Sequence, residues 1–469
     1  MLKKRICILS HNSIIYDSRI LKYISTLSKN NDHQIDVFGF FDKIEKVKLE
    51  SSFIKVRFFS IKYNKNILII RKYLNIIILI FLSFFFLFIL NYLNFLNGHH
   101  FLFFGVSLPC LLFILNKFKK KKIVRYLFLR PYNFFFEVIN LTSHFSVNLF
   151  INYIKEKIIS SLIIKKLKKN PPNIIHCHDF FMLNCAVTLK KKFNSILIWD
   201  AHEIYEDCGV RNPSLSIFIR KKLTQINKFI DHFITINKSL ANFYSKNYEN
   251  LNNPFIIKNA CEISKREPYD GRLHAKSNLP ASQKICLFHG GITKYRGLEI
   301  LINAIKYIDK SWTIVIIGFN NSFKTQLIKD SKIILKKFKI DHPFPIKFLN
   351  VVPQDELIKW VRGATIGYIG YENIHLNHFY CTPNKLWEYP TADVPIICPS
   401  YPELKKIIIK YDIGWLMSQN FSSRVFAKLI NQITDEEIKM KKRNCRSFVK
   451  EDNWEVYSKK ILNFYDGIS

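Results

Sequence analysis

Apolar and polar positions alternate along the chain in a pattern that predicts strands and helices in turn. Ile6–Leu9 is a short apolar run, and the amphipathic stretch Ser18–Lys29 follows the loop Ser10–Asp17. In Gln34–Phe38, polar and apolar residues then alternate as in a strand. A strand, a helix and a second strand in this order predict the opening of a parallel sheet. The loop lacks G-x-G-x-x-G, so the sequence carries no dinucleotide fingerprint there.

The same alternation resumes after residue 169 and continues to the end of the chain. In the first half it predicts strands Ile174–Cys177, Ile196–Trp199, His232–Ile236 and Phe255–Lys258, with helices Leu183–Lys192, Ser216–Lys228 and Lys238–Lys246. In the second half it predicts strands Ile285–Phe288, Thr313–Ile317, Ile346–Leu349, Thr365–Ile369 and Val394–Ile397, and a last helix at Trp454–Tyr465. A polar segment with Pro268, Gly271 and Pro280 is interpreted as a linker.

These elements predict an α/β protein of two Rossmann-like, doubly wound domains. Residues 1–265 form the first domain, 275–450 the second, and 451–469 a helix that packs back on the first. Ligands of such sheets bind outside the carboxyl ends of the strands. We therefore expect the site where these ends of the two sheets face each other.

An uncharged segment, Tyr73–Asn116, interrupts the first domain. Within it, Leu74–Leu96 is long enough to cross a bilayer, which takes about 20 apolar residues. A polar break, Asn97–His100, separates it from a shorter apolar run, Phe101–Leu115, that contains Pro109. The pattern predicts a hydrophobic helical hairpin inserted in the membrane. A buried helix pair of a soluble domain and a half-inserted hairpin are the alternatives.

Basic residues flank both ends of this segment, with Arg71 and Lys72 before it and Lys117 and Lys119–Lys122 after it. The positive-inside tendency places both ends in the cytoplasm, with the basic cluster on anionic headgroups; this cluster begins a basic flank of residues 117–169. We therefore expect the cytoplasmic (inner) membrane, with the two α/β domains facing the cytoplasm.

The chain has 71 Lys and Arg against 36 Asp and Glu, a net charge of +35. This balance favours anionic partners, namely nucleic acid, an acidic membrane surface or phosphorylated substrates. No RNA-binding or helix-turn-helix motif is present, so we expect no nucleic acid partner. The ten cysteines show no CxxC spacing and no signal peptide precedes the first strand, which predicts a reduced, cytosolic compartment.

The segment Leu376–Cys398 carries the clearest chemical pattern. A turn with Thr382 and Pro383 opens a predicted helix at Asn384, and Glu388 lies one helical turn further on. Free N–H groups at a helix N-terminus suit a diphosphate, and an inward carboxylate suits ribose hydroxyls. A capped surface helix is the alternative.

The letters P-N-K-L-W-E-Y and A-D-V-P-I-I resemble the donor-site segment of bacterial retaining glycosyltransferases of family 4. The resemblance implies the GT-B fold, a nucleotide-sugar donor, and donor contacts from Thr382, Pro383, Asn384 and Lys385. Glu388 matches the second glutamate of the family's Glu-x7-Glu pair. Tyr380 stands where the first glutamate is expected, which puts a direct carboxylate contact to the transferred sugar in doubt.

A second segment, His289–Gly297, follows the first strand of the second domain. Gly290 and Gly291 allow a close backbone approach, and Lys294 and Arg296 could reach phosphate oxygens. The segment resembles the family's G-G…R-G-L-E signature, in which two basic side chains neutralise the diphosphate. An ordinary turn with solvated cations is the alternative. Gly318 ends another strand, near where the base packs in relatives.

Three segments of the first domain supply further candidates. Asp200–Glu203 resembles the family's D-A-H-E, so His202 is a candidate catalytic or positioning residue, able as a base to titrate near neutral pH. Glu203 falls on the acceptor side, and a helix cap by Asp200 is the alternative.

His176–Asp179 could ligate a metal, but no second cluster accompanies it. It resembles the family's H-x-H-D, which places His178 and Asp179 in the cleft. Tyr16–Arg19 resembles D-x-R near the acceptor, with Asp17 and Arg19 as candidates. Asp17 is also a good helix N-cap.

Together these features predict a retaining glycosyltransferase that moves a sugar from a nucleotide diphosphate-sugar to a lipid-linked or polysaccharide acceptor. Lys294, Arg296 and backbone amides would stabilise the leaving diphosphate, so no cofactor and no metal are expected. A non-catalytic membrane scaffold of the same fold and a nucleotide-sugar epimerase are the alternative functions.

Overall fold

A computed structural model describes residues 4–29, 33–41, 43–53, 56–61, 156–207, 213–263 and 266–468. The chain forms two compact units, one from Met1–Ser60 with Asn170–Ser469 and the other from Ile61–Lys169. In the second unit, residues 156–167 form a helix. The predicted hairpin, Tyr73–Asn116, lies outside the described residues. Within the described ranges, no helix is both long and apolar enough to cross a membrane.

The first unit contains two sheets whose paired strands are all parallel. The strands of the first sheet, in chain order, are β1 Arg5–Ser13, β2 Gln34–Phe40, β3 Val56–Ser60, β4 Ile174–His178, β5 Ile196–Ala201, β6 His232–Thr235 and β7 Phe255–Ile256. Their spatial order is β3-β2-β1-β4-β5-β6-β7. The helices between them are α1 Ser18–Lys29, α2 Lys43–Ser52, α3 Leu183–Phe193, α4 Pro213–Ile226 and α5 Lys238–Asn247.

The second sheet follows the same plan. Its strands are β8 Lys284–His289, β9 Trp312–Ile317, β10 Ile346–Leu349, β11 Ile366–Tyr368, β12 Ile396–Pro399 and β13 Gly414–Met417, in the spatial order β10-β9-β8-β11-β12-β13. The remaining helices are α6 Arg272–Ser277, α7 Leu298–Ala304, α8 Ser322–Lys337, α9 Leu357–Val361, α10 Leu376–Phe379, α11 Lys385–Thr391, α12 Pro402–Tyr411, α13 Ser423–Gln432, α14 Asp435–Glu451 and α15 Trp454–Gly467. The prediction of two parallel α/β domains is confirmed.

The central strands are apolar because helices cover both faces of each sheet. Every residue of β4 and of β9 is buried. β4 nevertheless carries His176 and His178 in full burial, and buried polar groups of this kind need partners. These two histidines therefore mark the strand as part of a polar cluster as well as of the core.

The segment interpreted as a linker is instead ordered structure. It contains α6, which lies between Gly271 and Asn278, both in the left-handed region at φ 81° and φ 50°. Leu273 of this helix and Leu279 after it belong to the main hydrophobic core. The sequence did not predict this helix, because it has six residues and is too short to show a clear period.

The last helix, α15, lies against the first domain. Asn453 caps it by accepting the N–H of Val456. Its first residue, Trp454, donates its indole N–H to the Thr26 hydroxyl at 3.0 Å, and the Lys22 ammonium lies 4.8 Å from the Trp454 ring. The helix that ends the second domain thus packs on α1.

Side chains of the first domain also bond to the loop that precedes α11. The Asn237 amide donates to the Tyr380 carbonyl at 2.8 Å and to the Thr382 hydroxyl at 3.1 Å. The Ser239 hydroxyl donates to Glu403 at the start of α12 at 2.7 Å. The carboxyl ends of both sheets are thereby held on the two sides of one cleft.

Candidate functional site

A cavity of about 310 Å³ lies between the two sheets at their carboxyl ends. Eight of the predicted site residues line it: Asp17, Arg19, His202, Glu203, Arg296, Thr382, Pro383 and Asn384. Nine others do not: His178, Asp179, Gly290, Gly291, Lys294, Gly318, Tyr380, Lys385 and Glu388. The structure therefore brings together residues that are far apart in the chain, from four separate segments.

Arg296 is a cation of the cavity wall on the side of the second domain. Its guanidinium donates to the Thr293 hydroxyl at 3.0 Å and to the Tyr371 hydroxyl at 2.8 Å. It also lies 5.0 Å from the centre of the Tyr371 ring. No carboxylate neutralises Arg296 among the described ion pairs, so its charge is available to an anion in the cavity.

The glycines of the same loop are required by its close packing. Gly290 adopts φ 112° and Gly297 adopts φ 67°, both in the left-handed region that favours glycine. A Cβ on Gly297 would lie 2.4 Å from the Gly370 carbonyl oxygen, and one on Gly318 would lie 2.4 Å from the Gly290 oxygen. The loop thus presses against its neighbours and fixes where Arg296 points.

Lys294 differs from the expectation that it faces the diphosphate. Its side chain is exposed and is not part of the cavity lining. Tyr295, next in the chain, takes a left-handed conformation at φ 65°, and the chain turns between these two cations. Arg296 therefore points inward, while Lys294 points to solvent.

Behind the loop, α11 carries Lys385 and Glu388 into the protein interior. The helix begins at Lys385 rather than Asn384, has seven residues and contains Pro390. The Glu388 carboxylate is 3.7 Å from the His289 ring. Burial raises the pKa of Glu388, against the opposing charges of Lys385 and Lys22. Burial, followed by the charge of Lys385, holds the pKa of His289 well below its usual range.

Lys385 is also buried. Burial, followed by repulsion from Arg296, lowers the pKa of Lys385 to about 7. Its ammonium lies 4.9 Å from the centre of the Phe288 ring. The sequence marked this lysine as a donor contact, and the structure places it directly beneath the glycine turn, where a Cβ on Gly290 would be 3.1 Å from Nζ.

On the other wall, His202 lies between two carboxylates. Its Nδ1 is 3.2 Å from Asp179 and its Nε2 is 3.2 Å from Asp200. Burial alone would lower the pKa of His202, but the Asp200 and Asp179 charges outweigh it and raise that pKa to about 10. The expectation of titration near neutral pH is wrong for this geometry. With its pKa raised in this way, the His202 imidazole stays protonated near neutral pH.

Arg19 holds the same aspartate from the opposite side. Its Nε and Nη2 donate to the two Asp200 oxygens at 3.0 Å each, and its Nη1 donates to the Ile257 carbonyl at 2.8 Å. Burial would raise the pKa of Asp200, yet the charges of Arg19 and then His202 bring it well below its usual range. Although Arg19 lines the cavity, its Nε and Nη2 are engaged by Asp200, and its Nη1 is engaged by the Ile257 carbonyl and the Asn259 side chain.

His176, His178 and Asp200 form the metal candidate, with ligand atoms all within 4.8 Å of one another. Asp200 lies 3.7 Å from the His176 ring and 3.5 Å from the His178 ring. The other His176 nitrogen is hydrogen-bonded to the Tyr465 hydroxyl of α15. Because Arg19 binds both Asp200 oxygens, a cation here would have to displace or share that pair.

The acceptor-side candidates on α1 and β4 are tied together by Asn12. Its amide donates to Asp179 at 2.8 Å and to Asp17 at 3.2 Å. Asp17 also accepts the N–H of Ile20 at 3.2 Å, which makes it the N-cap of α1. Glu203 is exposed at the rim of the cavity.

The loop between β11 and α11 supplies cavity residues that sequence reasoning missed. Tyr371, Asn377 and His378 all line the cavity. Asn377 accepts the N–H of Ile204 at 3.0 Å, and its own N–H donates to Asp207 at 3.1 Å. In the sequence, the run of polar and aromatic residues from 371 to 381 could have indicated a binding loop. Nothing in that run shows which domain the loop contacts.

Tyr380, at the position where the family has a glutamate, packs against an apolar cluster of the first domain. This cluster consists of Ile204, Ile236 and Leu240. The residue that stands where the resemblance implies a glutamate therefore makes an apolar contact between the domains. Asn377 and His378 are the polar side chains that this loop offers to the cavity.

Comparison with known proteins adds evidence on the second domain. Residues 270–452 match the family model described as Glycosyl transferases group 1. In the comparison with curated proteins, no match was found.

Solved structures are similar over almost the whole chain. HepE from Anabaena, in complex with UDP and glucose, has a TM-score of 0.64 at 12% identity, covering 99% of this chain and 100% of that one. Sucrose-phosphate synthase from Thermosynechococcus elongatus has a TM-score of 0.64 at 11% identity, covering 99% and 98%. WaaG, a glycosyltransferase involved in lipopolysaccharide biosynthesis, has a TM-score of 0.55 at 9% identity, covering 98% and 100%.

At these identities the structural likeness shows the fold, and the family match covers the domain that carries Arg296, Lys385 and Glu388. Together, the two parallel α/β domains and the group 1 domain identify the chain as a glycosyltransferase with the GT-B fold.

Proposed function

We propose that the protein is a retaining glycosyltransferase of family 4 that uses a nucleotide diphosphate-sugar as donor. The observation that carries this proposal is the Arg296 guanidinium, which faces a polar cavity at the carboxyl ends of two parallel sheets and has no carboxylate partner among the described residues. Similar structures support the donor class, since HepE was solved with UDP and with UDP-glucose.

In this proposal Arg296 stabilises the negative charge that develops on the diphosphate as it leaves. The Tyr371 hydroxyl and ring hold the guanidinium in place, so little reorganisation is needed during the reaction. Glu388 takes the ribose hydroxyls, as in the family's second glutamate. The acceptor enters from the side of Asp17 and Glu203 and attacks on the face from which the diphosphate departs. No metal is needed for this chemistry.

In this proposal His202 does not act as the general base that a histidine beside the cleft would suggest. Since both of its ring nitrogens face carboxylates, it does not accept the proton of the acceptor. It holds Asp179 and Asp200 beside the cavity and adds positive charge to the wall. The leaving diphosphate is then the group that receives the acceptor's proton.

The acceptor is a lipid-linked or polysaccharide substrate at the cytoplasmic face of the membrane. The support is the uncharged segment Tyr73–Asn116 with its basic flanks, which would bring the site to a lipid-borne substrate. WaaG, which shares the fold, acts in lipopolysaccharide biosynthesis.

The test is a donor screen with purified full-length protein and UDP- and GDP-sugars. We expect slow release of UDP or GDP from at least one donor, and its loss in Arg296→Ala. Lys428→Ala, a change of an exposed lysine on α13, is the matched control and should keep the activity. Conversion of a donor to its epimer without nucleotide release, or no reaction with any donor, would contradict the proposal.

A further inference from the structure

We propose that Lys385 is the second cation of the donor diphosphate site, and that it takes up a proton when the diphosphate binds. This inference rests on the proposed function and assigns a role within the same site. In this role Lys385 takes the place of Lys294. The sequence pattern favours Lys294 for the diphosphate, but the structure leaves its side chain in solvent.

The first support is that Lys385 is buried and, among the described residues, has no carboxylate within ion-pair distance of its ammonium. The residue is 5% exposed, and Nζ lies 4.9 Å from the centre of the Phe288 ring and 6.0 Å from that of the Tyr371 ring. Over the described ranges, the structure gives its ammonium neither a hydrogen bond nor an ion pair within 4.0 Å. A buried charge without a partner is costly, so the site favours either a neutral amine or an added anion.

The second support is its position at the glycine turn. A Cβ on Gly290 would lie 3.1 Å from Lys385 Nζ, and a Cβ on Gly291 would lie 4.0 Å from Arg296 Cζ. The two cations therefore reach the same turn from its two sides. Because neither glycine carries a side chain, a phosphate oxygen can approach the backbone there and contact both cations.

Arg296 and Glu388 are the charged groups that face Lys385. The charge of Arg296, on the loop after β8, lowers the pKa of Lys385, whereas the charge of Glu388, on α11, raises it. Burial raises the pKa of Glu388, so that attraction is reduced when the carboxyl is protonated.

The other titratable groups around Lys385 are neutral near pH 7. Burial raises the pKa of the Cys381 thiol and of the Tyr371 hydroxyl to about 12 each, and holds the pKa of His289 well below its usual range. Without a ligand, Arg296 and burial thus hold the pKa of Lys385 near 7. A bound diphosphate supplies the missing anion, and the amine then takes its proton from the solvent.

The experiment is titration calorimetry of the full-length protein with UDP, GDP, ADP and dTDP at pH 8. Two buffers of different ionisation enthalpy give the number of protons exchanged. The free nucleotide is already deprotonated at this pH, since the second phosphate pKa is about 6. We expect uptake of about 0.9 proton per bound nucleotide, and an affinity that weakens about eightfold from pH 7.5 to pH 8.5, following the protonated fraction of Lys385.

Two substitutions of Lys385 distinguish the effect of its positive charge on binding from the effect of its proton uptake. Lys385→Met should weaken nucleotide affinity about 10- to 100-fold, the loss of one hydrogen bond to a charged group, and should abolish both the proton uptake and the pH dependence. Lys385→Arg keeps a permanent charge, so any binding it retains should occur without proton uptake. Lys428→Met is the matched control and should behave as wild type.

The outcomes distinguish this inference from the proposed function. If no nucleotide binds the wild-type protein, the proposed function fails and the inference fails with it. If a nucleotide binds without proton uptake at pH 8, or Lys385→Met binds within threefold of wild type, only the inference is overturned. If circular dichroism shows that the variants do not fold, the number of protons that the wild-type protein takes up per bound nucleotide tests the inference by itself.

Discussion

The placement of His202 between Asp179 and Asp200 predicts a specific loss of stability at alkaline pH. The folded-state pKa of His202 is raised to about 10, whereas the unfolded imidazole titrates near pH 6.5. A group whose pKa is raised on folding stabilises the protein fully below its unfolded pKa, and this contribution is lost as pH rises through the folded pKa. Between pH 7 and pH 9 the His202 contribution to the free energy of unfolding should fall by about 2.5 kcal/mol.

The assay is urea unfolding of wild type and His202→Gln at several pH values from 7 to 9. Wild type alone is insufficient, because the lowered pKa of Lys385 gives the opposite slope in this range and buried thiols such as Cys286 add to the loss. The difference between wild type and variant isolates His202, since these other groups are common to both proteins.

We expect this difference to shrink by about 2.5 kcal/mol from pH 7 to pH 9. His232→Gln serves as the control, because burial lowers the pKa of His232, so folding does not favour its charged form as it does that of His202. A wild-type minus His202→Gln difference that stays constant across the range would show that the imidazole is not held as a cation.

Three further predictions concern activity. Arg296→Ala and Glu388→Ala should each lower donor turnover at least about 100-fold, as expected for a lost electrostatic contact, and near-normal turnover in both would contradict their placement at the donor. Activity should persist in a chelator, whereas loss with rescue by Mn²⁺ or Mg²⁺ would point to the His176, His178 and Asp200 cluster. Replacing residues 73–116 by a short polar linker should leave donor binding intact while transfer to a lipid acceptor falls, so unaltered lipid glycosylation would refute the role of this segment.

Much of the fold follows from local pattern. Helix Ser18–Lys29 and strand Ile346–Leu349 are observed with their predicted bounds. Strands Val56–Ser60 and Gly414–Met417 were not predicted, because each is short and has mixed burial. Without a continuous apolar run, such strands give little periodic signal.

The site depends on contacts that local pattern does not contain. Arg19 and Asp200 are 181 residues apart, and their pairing with His202 decides that the imidazole is charged. Likewise, whether Lys294 or Lys385 faces the donor depends on the left-handed turns at Gly290 and Tyr295. Residue type and spacing predicted which segments meet at the cleft, but side-chain direction there is set by tertiary packing.

The most direct test of the central claim is a crystal structure of the protein with the nucleotide diphosphate that it releases in the donor screen. The account predicts that the diphosphate lies at the Gly290–Gly291 turn, with phosphate oxygens within about 3 Å of Arg296 and of Lys385 Nζ. It also predicts that the ribose lies at Glu388. A nucleotide bound outside this cleft, or a diphosphate that contacts neither cation, would contradict the account.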